Sequence, residues 1–87
     1  MILDAIIASS HQRAAALPDT FPGELYPVRS LKRALLSRSP AVIGEVKYAS
    51  PRGPTGATLP PGRLAAAMAA GGAVAISVLT EPTVFAG

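Results

Sequence analysis

The stretch Val42-Ile43-Gly44-Glu45-Val46-Lys47 limits the possible folds more than any other part of the chain. Val42, Ile43 and Val46 are β-branched and favour an extended strand. Both faces of that strand are mostly apolar, which suits a parallel strand covered on two sides. Side chains alternate across a strand, so Glu45 and Lys47 share one face at its C-terminal end. Two opposite charges on an otherwise apolar strand are costly in a core unless they are paired or in use. The C-terminal ends of parallel strands are where α/β folds assemble their active sites. From the residues alone, a structural ion pair remains the other reading of Glu45 and Lys47.

Ala73 to Leu79 is a second apolar run of the same kind. Between the two, residues 48–59 read as a long loop with Pro51, Gly53, Pro54 and Gly56, and such loops are often functional. Pro60-Pro61 pre-sets helical φ at a helix start. The helix Gly62 to Ala70 follows, with Leu64 and Met68 on one face as core packing. Gly71-Gly72 gives the C-terminal stop. The 25 residues from 48 to 72 are enough for a right-handed crossover, so a parallel βαβ unit is predicted over 41–87. Gly44 leaves room on the face opposite Glu45.

Upstream, residues 1–40 form a helical extension. A helix is predicted from residue 2 to about 16, with Leu3, Ile6 and Ile7 as its apolar stripe. Asp4 in its first turn and Arg13 in its last suit the helix dipole, and His11 faces solvent. Pro18 to Pro27, with Pro22 and Gly23, is an extended or turning connector. Ser30 caps a short helix over Leu31 to Leu36, and Ser39-Pro40 ends it.

Composition matters here for what it leaves over. The chain has 87 residues, of which 49% are hydrophobic, and its mean hydropathy is +0.39. Small domains bury a lower fraction of their surface, so apolar surface intended for further protein is expected. Two parallel strands alone leave their outer edges unpaired. The chain therefore reads as the opening part of a larger α/β protein, incomplete by itself. The absence of cysteine and a single histidine exclude disulfides and argue against a transition-metal site. The net charge of +3 is spread over scattered Lys and Arg, with only four Phe and Tyr residues, so no nucleic-acid footprint is expected. No signal peptide and no membrane span are expected, and a cytoplasmic location follows.

Four stretches carry a resemblance. Glu45-Val46-Lys47-Tyr48-Ala49-Ser50-Pro51 resembles the first-strand motif of indole-3-glycerol phosphate synthases, from tryptophan biosynthesis. Ile2-Leu3-Asp4-Ala5-Ile6-Ile7-Ala8 and Ser30-Leu31-Lys32-Arg33-Ala34-Leu35 resemble that family's two helices before the barrel. Ala75-Ile76-Ser77-Val78-Leu79-Thr80-Glu81, then Phe85-Ala86-Gly87, resemble its second strand and loop. The resemblance implies the N-terminal portion of a (β/α)8 TIM barrel, with two pre-barrel helices followed by β-α-β.

It further implies a carboxy-lyase that closes the pyrrole ring of 1-(2-carboxyphenylamino)-1-deoxyribulose 5-phosphate, releasing CO2 and water, with no metal or organic cofactor. By the same resemblance Glu45 and Lys47 are the catalytic pair, Ser50 and Pro51 border the phosphorylated substrate, and Leu79 and Phe85 line the slot for its aromatic ring. Tyr48 and Arg52 depart from the family, which often has Lys and Ser there. The second catalytic lysine and the main phosphate loops belong to later strands. The expected partner is thus a C-terminal portion or a complementing chain, without which the fragment is inactive.

Each residue also has a plainer reading. Ser50-Pro51 can be an ordinary turn, and Leu79 and Phe85 can be core. Two rival functions remain: a non-catalytic fragment that binds another chain, and another phosphate-binding barrel enzyme in which Lys47 forms a Schiff base.

Overall fold

A computed structural model describes residues 2–21, 23 and 26–87. Pro22 of the predicted connector lies outside the described residues. The elements in order are α1 (Ile2–Ala15), α2 (Leu31–Leu36), β1 (Ile43–Val46), β2 (Ala49–Ser50), β3 (Gly53–Pro54), α3 (Pro61–Ala70) and β4 (Ala75–Val78).

β1 and β4 pair in parallel, joined by the crossover that contains α3. The register sets Ile43 beside Ala75, Gly44 beside Ile76, Glu45 beside Ser77 and Val46 beside Val78. Single bonds from Val74 N–H to Val42 O (2.9 Å) and from Leu79 N–H to Val46 O (3.1 Å) extend the ladder at each end. Both strands are shorter than the apolar runs predicted, and only these single bonds continue the pairing beyond them.

α3 lies on the face that carries Gly44 and Val46. A Cβ at position 44 would stand 2.7 Å from Met68 Sδ, 3.1 Å from Met68 Cβ and 3.3 Å from Ile76 Cδ1. Gly44 is therefore what lets the helix approach the strand, with Met68 as the packing residue. α3 starts at Pro61, directly after the two prolines. It ends in a Schellman motif, in which Ala73 N–H donates to Met68 O (3.0 Å) and Gly72 N–H to Ala69 O (3.1 Å). Gly72 takes the left-handed position this needs, at φ +111, and its carbonyl accepts from Arg38 Nη1 at 3.0 Å.

α2 has the predicted bounds and cap, with Ser30 Oγ accepting from Arg33 N–H at 3.1 Å. α1 is also formed as expected, but Ile2, Leu3 and Ile7 on it stay exposed. Among the described residues, Val46 is the one buried side chain, at 1% exposure. The accessible surface is 7072 Å², against about 4,800 Å² for a compact monomer of this mass. The radius of gyration is 15.5 Å, against about 12 Å for a compact domain of this length. The chain is thus a mixed α/β unit with parallel strands, and no closed barrel is formed.

One expectation needs correcting. Residues 48–59 are not a structureless loop: β2 and β3 form a small antiparallel hairpin, with Ala49 opposite Pro54 and Ser50 opposite Gly53. The turn residues Pro51 and Arg52 are the reason, since proline pre-sets the first turn position and Ser50 Oγ accepts from Arg52 N–H at 3.2 Å.

Candidate functional site

β1 delivers Glu45 and Lys47 to one face, as their spacing requires. Lys47 Nζ stands 3.3 Å from Glu45 Oε1, with the two side chains 36% and 44% exposed. Ser77 is the register partner of Glu45 on β4 and shares its face. Leu79 follows two residues later on that face, beside the end of β1. Ser77 was legible only through register: its offset from Leu79 places both on one face, but nothing in the sequence alone set it across from Glu45.

The β2–β3 hairpin rises directly from this strand end. It is tied down by main-chain and side-chain bonds. Thr55 Oγ1 donates to Lys47 O (2.7 Å) and Thr55 N–H to Tyr48 O (2.9 Å). Tyr48 OH donates to Leu59 O at 2.6 Å. Tyr48 thereby fastens the far end of the loop to its start. Ser50 and Pro51 sit at the hairpin's end and turn, where the Ser50 hydroxyl is engaged by Arg52 N–H.

The segment after β4 is organised by Glu81, which sequence reasoning passed over. Its Oε1 accepts from Thr83 N–H (2.9 Å) and from the Thr83 hydroxyl. Its Oε2 accepts from Val84 N–H (2.7 Å) and Phe85 N–H (3.2 Å). The side chain is only 12% exposed. The Thr83 hydroxyl first, then the Val84, Thr83 and Phe85 amides, hold the Glu81 carboxyl down at about 2, against the opposing effect of desolvation. Arg13 of α1 approaches the same carboxylate, Nη1 to Oε1, at 3.7 Å. The acid-x-Thr spacing Glu81-Pro82-Thr83 was the available signal, a carboxylate placed to accept from the amides that follow it.

Phe85, half-buried, and Leu79 both belong to this end of the unit. The structure thus brings Glu45, Lys47, Ser77 and Leu79 onto one face, with Ser50-Pro51 and Phe85 on the two adjoining loops. Cavities among the described residues lie elsewhere. One of about 310 Å³ is lined by Arg38, Val42, Met68 and Gly72, and one of about 220 Å³ by Ser30, Ala34 and Val74. Both are at the N-terminal ends of the strands, away from the charged pair. Among the described residues, no three of His, Cys, Asp and Glu come together as metal ligands. No helix among them is long and apolar enough to cross a membrane.

A comparison with curated proteins found no match. The family model for indole-3-glycerol phosphate synthase matches residues 4–87, nearly the whole chain. With that match added to a parallel β-α-β unit that carries its glutamate and lysine together at the C-terminal strand end, the chain belongs to the indole-3-glycerol phosphate synthase family.

Proposed function

We propose that this chain supplies the first two barrel strands and the first catalytic pair of an indole-3-glycerol phosphate synthase. The observation that carries the reading is the half-exposed Glu45–Lys47 pair, 3.3 Å apart on the strand face opposite α3. An ion pair this exposed contributes only about 0–1 kcal/mol to stability. Stability therefore gives little reason to end an apolar strand in two charges, whereas chemistry does.

The reaction joins an aromatic ring carbon to the ketone carbon of the substrate, then loses CO2 and water. As the new carbon–carbon bond forms, electrons move onto the ketone oxygen. A lysine ammonium there donates a hydrogen bond or a proton to that oxygen. Glu45 holds the Lys47 ammonium aimed along the strand face. Leu79 and Phe85 provide apolar surface for the flat anthranilate ring, and Ser50 and Pro51 border it. The phosphate grip and the second acid come from the strands that complete the barrel. On this reading a C-terminal portion or a complementing chain supplies them, and residues 1–87 by themselves are expected to show no turnover.

The test is formation of indole-3-glycerol phosphate by the protein isolated from its source with any chain that accompanies it. Lys47→Ala is expected to lower kcat by about 10²–10⁴-fold, the range for loss of a positioned acid. Turnover unchanged by that substitution refutes the reading.

The exposed apolar residues Ile43, Val42 and Val78 favour a second reading, a non-catalytic fragment that docks on another chain. In that case the accompanying chain is present but Lys47→Ala changes nothing.

A further inference from the structure

The loop after β4 has an architecture that the catalytic reading does not use. One nearly buried carboxylate, Glu81, accepts from three successive amides, 83 to 85, and from the Thr83 hydroxyl. Gly87 N–H returns to Glu81 O at 3.0 Å, so residues 81–87 close on themselves around that side chain. The loop's outer contact is Arg13, the basic residue in the last turn of α1. Its guanidinium is itself fixed from within the helix, where Nη2 donates to Ser10 Oγ at 2.9 Å and Nη1 to Ser9 Oγ. Among the described residues, α1 packs substantially on no other helix or strand.

We infer that Glu81 is a positioning residue that sets Phe85 for the substrate's aromatic ring, and that its ion pair with Arg13 ties this setting to the last turn of α1. The geometry is direct, because the amide of Phe85 itself donates to Glu81 Oε2, fixing the backbone from which the ring projects. Val84 N–H on the same oxygen fixes the preceding residue. Both Glu81 oxygens are engaged by donors of the loop itself. The effect of Glu81 reaches the substrate through Phe85, so it belongs in KM more than in kcat. The inference rests on the proposed synthase reading for the identity of the ligand, and on the loop geometry alone for the device.

Two measurements on the protein with its accompanying chain test it. Glu81→Gln keeps the size of the side chain but replaces one acceptor oxygen with a donor. It is expected to speed amide hydrogen exchange in the peptide 82–87 at least tenfold. It is also expected to raise KM for the substrate about tenfold, with kcat within threefold. Glu81→Asp keeps the charge and both acceptor oxygens, one methylene nearer the backbone. It is expected to restore most of the protection and most of the KM. Arg13→Gln is expected to produce a smaller change of the same kind. Exchange in 82–87 unaltered by Glu81→Gln overturns the inference whatever the activity. So does a loss confined to kcat. Faster exchange in a protein that does not turn over this substrate upholds the loop device and removes the synthase reading instead.

Discussion

At the scale of single residues, three side-chain positions decide how the unit holds together. Gly44 is the contact point of β1 and α3. Gly44→Ala forces Met68 aside, and its Cβ, unlike its flexible Sδ, cannot swing away. Overpacking of this kind costs about 1–3 kcal/mol, so a fall of that size in unfolding free energy is expected in chemical denaturation of the assembled protein. Val46 is the one fully buried side chain among the described residues. Glu81 gives the loop after β4 a pH dependence of known sign. Its folded carboxyl titrates at about 2, below the ordinary 4.5. The ionised form is thus the one the fold prefers, and the contribution is complete above about pH 4.5 and fades as the pH falls toward about 2. Amide exchange in 82–87, corrected for its intrinsic pH dependence, is expected to lose protection over that window, and Glu81→Gln is expected to remove the pH dependence.

At the scale of elements, what was legible followed from local chemistry. Ser30 marked the start of α2, Pro60-Pro61 the start of α3 and Gly71-Gly72 its end, because caps and stops depend on residues close in sequence. The β2–β3 hairpin escaped notice because its strands are two residues each, too short to show an alternation. The role of Tyr48 escaped for a different reason. Its hydroxyl reaches a carbonyl 11 residues away, a distance that no short pattern reports. Tyr48→Phe removes that bond while keeping the ring. A loss of about 1 kcal/mol is expected, with faster amide exchange confined to residues 48–59. That Glu45 and Lys47 share a face was legible from their alternation, whereas the place of Ser77 across from Glu45 needed the register of the β1–β4 pair.

At the scale of the molecule, the dominant fact is how little is covered. Nearly half the residues are hydrophobic, yet Val46 alone among the described residues is buried. Apolar burial is the main favourable term in folding, at roughly 25 cal/mol per Å². A chain that leaves so much of it exposed has little to set against its conformational entropy. The 87-residue chain by itself is expected to show no cooperative thermal transition and no turnover. Sharp two-state melting of the isolated chain, followed by circular dichroism, contradicts this. The sequence's apolar excess signalled the need for cover, but which surfaces remain open depended on where α3 packs and where α1 does not.

Under the proposed function, the face carrying Lys47 is the substrate face of a synthase. The chain contains two lysines, Lys47 and Lys32, and Lys32 on exposed α2 serves as an internal reference. The most direct measurement is amine acylation of the assembled protein, read by mass spectrometry, with and without the non-reacting alcohol made by reducing the substrate ketone. Lys47 is expected to react more slowly than Lys32 and to be further protected, at least fivefold, when the alcohol is present, while Lys32 is unchanged. Equal modification of the two lysines, with no effect of the alcohol on Lys47, would contradict the account.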